Sequence, residues 1–441
     1  MKKMMMACFS ICLLFIVVAC SSGNSDTTSN EGSTGDQEDE NQSSSVDEIT
    51  IWAWDPNFNI AALELAKDTY AEENADVNIN IVESAQDDII QRLNTILSSG
   101  STSGLPHIVL IEDYRAQGFL QSYPDSFHEI TGAYELDNFA PYKIAPTSID
   151  DANYGLPFDT GVAGLYVRTD YFEEAGYSVE DLQSLDWNEY IEIGKEIKEA
   201  TGKYLLTLEP NNLSQLRMMI QTNGGWYVEE DGVTPYLADN EDLKIAFEVY
   251  KTLIDEDLAK PISDWSQFVA GFNSGEVASV PTGNWITPSV TAEESQSGDW
   301  AVVPFPTLPG VESSIPATNL GGSSWYVLNI DGKEDATDFL AKTFGSNDQL
   351  YEDLLNEIGA IGTYLPASQN DAYQSEVEFF GNQSIYADFA KWSELIPQVN
   401  YGIHTYSIED ILVVEMQNYL NGKDIDQALQ DAQVQAETQI R

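Results

Sequence analysis

The chain has 441 residues, 42% of them hydrophobic and 11% aromatic, enough to bury one large or two medium cores and too apolar for a disordered acidic protein. It carries 73 Asp plus Glu against 19 Lys plus Arg, and the net charge of -54 argues against nucleic acid and against direct docking on anionic lipid. Most carboxylates lack a cation to pair with, and we read them as a solvated surface and not as a cation site.

The chain opens with Met1, Lys2 and Lys3, a short positive start, followed by an apolar run over residues 7–19. Positive start, apolar stretch and small residues at the break describe a secretory signal, too short to cross a bilayer comfortably. The run ends in VVAC at 17–20, then Ser-Ser-Gly. A Cys directly after the small residue makes it resemble a bacterial lipoprotein signal, cut before Cys20 and acylated (palmitate) on that thiol. Cys8 and Cys12 fall in the leader, so the mature chain would hold one Cys and no internal disulfide. Residues 21–45 contain no aliphatic or aromatic residue, which predicts a disordered polar tether.

From residue 46 the patterns are those of a folded α/β protein. Residues 49–54 (ITIWAW) read as a buried strand, 60–74 as a helix, and 77–82 alternate as a strand does. Residues 87–97 are helical and 108–111 form another buried strand. This alternation predicts a mostly parallel sheet with helices on both faces. Further strands are expected at 164–167, 278–280, 300–305 and 325–328. Asp186 caps a helix that stops before Gly202. Other helices are expected at 213–223, 240–254, 336–344, 351–357, 408–420 and 426–439. There is no internal repeat and no zinc, P-loop or dinucleotide fingerprint. His107, His128 and His404 stand alone, so neither a His-based metal site nor a triad is supported, and no cofactor or metal is expected.

Five stretches carry a resemblance. They are YGLPFD at 154–159 running into GLYVRTDYFEEAG, FNSGE at 272–276 through PTGNW at 281–285, WAVVPFPTLPG at 300–310, GGSSW at 321–325, and NGKDIDQAL at 421–429. In this order and spacing the chain resembles the extracellular solute-binding proteins of ABC importers, in the maltose-binding-protein-like, carbohydrate-binding group. The resemblance implies a two-lobed α/β fold, each lobe a mostly parallel sheet flanked by helices, with a ligand cleft between lobes. It divides the chain into a signal peptide at 1–19, a lipidated Cys and tether at 20–45, lobe 1 at 46–158 plus 304–360, and lobe 2 at 159–303 plus 361–441. It implies a monomer that takes an oligosaccharide outside the cell and delivers it to the permease subunits, held on the membrane by its lipid, with no enzyme activity.

Ligands of open α/β sheets lie at the carboxyl ends of strands. That rule selects Trp54, Asp55, Glu112, Asp113, Asp159 and Trp285. Aromatic rings suit the C–H faces of sugars, and carboxylates accept hydrogen bonds from hydroxyls. By resemblance, Asp159 falls on a sugar-binding carboxylate and Trp285 on a sugar-stacking Trp. Glu209-Pro210-Asn211 resembles a Glu-Pro-aromatic element in which Asn211 replaces the ring. Tyr406 lies near another aromatic position of the family, and Glu112 and Asp113 near polar contacts. Trp226 and Gly322 complete the candidate set. Each has a structural alternative: Asp55 as a helix cap, Gly322 as a turn residue, Trp226 as core. Trp265, Trp300 and Trp392 are read as core plugs. The segment 108–127 looks closer to receptors for lactose, arabinose or arabino-oligosaccharides than to the maltose receptor. Two other functions remain open at this point, a secreted glycoside hydrolase working with two carboxylates and a sensor that signals to a membrane kinase.

Overall fold

A computed structural model describes residues 46–440; the predicted leader, Cys20 and the tether lie outside the described residues. The β-branched strand Glu48–Ala53 pairs in parallel with Asn78–Glu83 on one side and with Ile108–Glu112 on the other. Ser323–Val327 inserts antiparallel between Ile108–Glu112 and Gly155–Asp159, completing a five-stranded sheet. Both of its faces are covered. Ile51, Leu110, Phe158 and Trp325 pack into one apolar core, and Trp52, Leu93, Val109 and Phe119 into another. That is why Ile108–Ile111 reads as a continuous apolar run and not as an alternation.

The chain leaves this sheet at Asp159 and enters a second one at Ala163. Ala163–Arg168 is the centre of three strands, flanked by Ser279–Gly283 and Trp300–Pro304. Both neighbours run antiparallel to it, where the sequence predicts a mostly parallel sheet. All of Ala163–Arg168 is buried, and a strand covered on both faces carries no signal of its neighbours' direction. Helices Trp187–Thr201 and Glu241–Asp255 supply the core of this part with Trp187, Ile197, Phe247 and Leu253. The first shows the expected cap at Asp186, which Glu189 completes as a capping box, and the expected stop at Gly202, left-handed at φ +72°.

The two sheets are tied by segments that lie side by side. Leu320 N donates to Gly161 O at 2.7 Å, Ala163 N to Thr318 O at 2.9 Å, and Thr160 N to Ile361 O at 3.1 Å. A side chain at Gly161 would bring its Cβ within 2.5 Å of Leu320 O, so glycine is required where the crossings touch. Helices Asp113–Ser122 and Trp265–Asn273 were not anticipated. The first begins on the residue after a strand, with no turn sequence to announce it. Among the described residues no helix is long and apolar enough to cross a membrane, and no three His, Cys, Asp or Glu side chains are grouped to hold a metal.

Candidate functional site: a cleft between two sheets

The carboxyl ends of Glu48–Ala53, Ile108–Glu112 and Gly155–Asp159 face the end of Ser279–Gly283 across two adjoining cavities. The larger, about 880 Å³, is bordered by Trp54, Asp55, Asp159, Gly322, Glu357 and Tyr386. The smaller, about 390 Å³, is bordered by Glu209, Asn212, Gln215, Arg217, Phe268 and Thr282. Glu112, Trp265 and Trp285 line both, so the two form one cleft.

Trp285 is anchored by its indole N–H, which donates to Leu320 O at 2.8 Å on the crossing. Its ring lies 5.8 Å from that of Trp265, tilted by 38°, and the pair forms a continuous aromatic platform. Trp265 is not the core plug expected from the sequence: it begins its helix and is 55% exposed. Trp300 and Trp392 are buried. A helical stripe of Trp265, Phe268 and Phe272 after the cap Asp264 was the readable sign of a ring-bearing helix face.

Asp159 ends its strand and accepts from Ser323 N at 2.8 Å and Ser323 Oγ at 2.5 Å. Both bonds fall on Oδ1, which leaves Oδ2 for another donor. Glu112 accepts from the Tyr406 hydroxyl at 2.8 Å on each oxygen, and Arg115 Nε lies 3.4 Å away. Tyr406 itself faces a separate groove, beneath the guanidinium of Arg115 at 4.3 Å. It therefore holds Glu112 from behind and does not border the cleft. Burial and the Glu112 charge push its hydroxyl well above the usual phenol range.

Asp113 is turned the other way. It is fully buried, 2.5 Å from Lys143 Nζ, and accepts from Ser324 Oγ at 3.0 Å. Burial pushes its carboxyl up to about 6 against the pull of Lys143. Two consecutive acids at a strand-to-helix junction thus point to opposite sides, and only Glu112 meets the cleft. Gly322, φ +97°, is where the backbone passes over this pair: a Cβ there would sit 2.9 Å from Asp113 Oδ2 and 3.3 Å from Lys143 Nζ. Gly322 also borders the larger cavity.

The remaining candidates divide. Trp54 and Asp55 line the larger cavity. Asp55 accepts from Asn57 N at 2.8 Å in a turn, and the helix after it, Asn59–Ala71, has no side-chain cap. Glu209 lines the smaller cavity, whereas Asn211 is exposed outside it and its neighbour Asn212 takes the place. Trp226 does not reach the cleft. It is 4% exposed, donates to Tyr401 O and Thr405 Oγ1, both at 3.0 Å, and stacks on Tyr114 with centroids 5.5 Å apart.

Sequence reasoning missed Gln215, Arg217 and Glu357. Arg217 Nη1 donates to Glu409 at 2.9 Å, while Arg217 Nε and Gln215 Oε1 are covered and have no hydrogen-bond partner among the described residues. Arg217 sits in a helix of otherwise ordinary spacing, and nothing in its neighbours marks it.

Two α/β bodies joined by adjacent crossings, with aromatic rings and hydrogen-bond acceptors converging in the cleft between them, define a two-lobed receptor for a small polar solute. The chain belongs to the bacterial extracellular solute-binding protein family, whose model matches residues 66–381. It is 42% identical over 395 residues to a lactose-binding protein of Rhizobium radiobacter, covering 89% of this chain and 93% of the relative. An arabinooligosaccharide-binding protein of Halalkalibacterium halodurans is 23% identical, covering 82% of each chain. In fold the chain is similar to the sugar-binding protein MalE of Xanthomonas citri, with a TM-score of 0.72 at 18% identity, covering 89% of this chain and 96% of that one. These relatives are binding proteins, not enzymes, and the family places the protein outside the cytoplasm.

Proposed function

We propose that this protein captures a short oligosaccharide outside the cell and hands it to the transmembrane subunits of an ABC permease. The observation that carries this reading is the single cleft in which the rings of Trp265 and Trp285 and the carboxylates of Glu112 and Asp159 converge. A sugar ring needs both, an apolar face to stack on and acceptors for its hydroxyls. The resemblance to a lactose-binding protein favours a galactoside over an arabinoside. Trp54, Asp55, Glu209 and Asn212 would complete the ligand shell, with Tyr406 acting through Glu112. The crossings at 159–163, 317–323 and 361–363 would serve as the hinge on which lobe 1 (46–158 plus 304–360) and lobe 2 (159–303 plus 361–441) close. A lipid on Cys20 would keep this monomer at the membrane, and Cys20→Ala should release it or leave it unprocessed.

Calorimetry and thermal melting with lactose, arabinotriose and maltotriose test the reading. Saturable binding of one of them, raising the melting temperature with the sugar recovered intact, supports it. Hydrolysis of the sugar, or no shift with any of the three, contradicts it.

A further inference from the structure

The charged side chains that border the cleft are unbalanced. Asp55, Glu112, Asp159, Glu209 and Glu357 line it, against Arg217 as the one cation among the described lining residues. Arg217 is already committed: Nη1 donates to Glu409 at 2.9 Å, its guanidinium lies 4.9 Å over the Tyr114 ring, and its Nε is covered. Arg115 lies beside Glu112 at 3.4 Å, but Asp55, Asp159, Glu209 and Glu357 form no ion pair among the described residues. Beneath Gly322 the Asp113–Lys143 pair cancels itself. The aromatic platform adds to the imbalance, since ring faces are negative and attract cations. Gln215 contributes a covered Oε1 that no donor among the described residues reaches. The lining therefore offers acceptors and negative potential, and an anionic group would bring more of both.

Given the sugar-binding reading above, we propose that the cleft is a charge filter. It admits neutral and amine-bearing oligosaccharides and rejects those that carry a carboxylate, sulfate or phosphate. The discrimination is local to the cleft and not only a consequence of the net charge of -54. Carboxylates bordering the cavity act on a bound ligand from within about one Debye length at low salt, roughly 10 Å at 0.1 M, and weaken as added salt shortens it.

The test is calorimetry with three probes of one size: lactose, galactosyl-glucosamine with its free amine, and the phosphate monoester of lactose. Each is titrated into the wild type and into the double variant Asp55→Asn, Glu357→Gln, whose side chains are partly or fully exposed, so the fold should persist. Lactose and the amine should bind, and the phosphate should bind about tenfold or more weaker, a gap that is electrostatic and so narrows from about 0.01 M to about 1 M NaCl. The double variant should narrow the same gap at low salt. Equal affinity for lactose and its phosphate would overturn the filter and leave the sugar reading intact. A gap insensitive to both salt and the double variant would overturn it too, since it would then be steric. Failure of all three probes to bind would overturn the galactoside reading itself, and the filter with it.

Discussion

The aromatic cluster of Tyr114, Trp226 and Tyr401 and the platform of Trp265, Trp285 and Phe268 are built from the same kinds of ring and held in opposite ways. In the first, the polar tips are bonded to the protein: Trp226 to Tyr401 O and Thr405 Oγ1, Tyr401 OH to Asn319 Oδ1 at 3.1 Å, Tyr114 OH to Asn319 O at 3.2 Å. None of its rings is more than 4% exposed. In the second, Trp285 is anchored by one bond to Leu320 O and Trp265 is half bare. A ring wrapped and bonded on all sides stabilises the segments that meet there. A ring left with an open face beside acceptors leaves apolar surface in water, which folding alone does not reward. The neighbours Glu112 and Asp113 repeat the contrast in carboxylates.

The largest effects should fall on the wrapped members. Trp226→Ala should cost about 3–5 kcal/mol of stability. Asp113→Ala removes the acceptor shared by Lys143 and Ser324, leaves the buried ammonium without that partner, and should cost about as much, roughly 3–5 kcal/mol. Denaturant unfolding reads both, and the folded fraction should still bind sugar with near-normal affinity. Weakened binding at unchanged stability would break the comparison. On the cleft side, Asp159→Asn should weaken binding by about tenfold or more, from roughly 1.5–3 kcal/mol for a lost charged acceptor, with a smaller change in melting temperature.

A smaller effect separates positioning from contact. Tyr406→Phe removes the hydroxyl that holds both oxygens of Glu112. It should weaken binding a few-fold, on the order of 0.5–1.5 kcal/mol, while Glu112→Gln weakens it further. The last effect concerns pH. Asp113 is raised to about 6 by burial, above the unfolded value of about 3.9, so between these the folded chain holds the extra proton. Its contribution to stability is therefore complete below about 4 and is lost as pH rises through 6. Melting temperatures followed from pH 7 down to 4.5 should show this group favouring the folded state on acidification, and the slope should flatten in Asp113→Asn.

Much of the first sheet was legible because its first three strands are short apolar or alternating runs separated by helices with period near 3.6. Glu48–Ala53, Asn78–Glu83 and Ile108–Glu112 fall within a residue or two of expectation. The strand-end rule then reached Trp54, Asp55, Glu112, Asp159 and Trp285, all of which border the cleft. It could not tell Glu112 from Asp113, because which way a side chain leaves a strand-to-helix junction depends on Lys143, thirty positions on. It could not separate Trp265 from Trp226 either. Both follow short polar stretches, and only the tertiary partners of the indole decide which is wrapped. Arg217 was invisible because its counterpart, Glu409, lies 192 positions away.

The central claim is that the open aromatic platform serves a ligand and not the fold. It is tested most directly by titrating lactose into Trp285→Ala and recording the melting temperature of the same sample. Loss of the ring face should weaken binding by about tenfold or more, from roughly 1–3 kcal/mol of buried apolar contact, with the protein still folding cooperatively. Unchanged affinity in a variant that has instead lost several kcal/mol of stability would contradict the account and return Trp285 to the core.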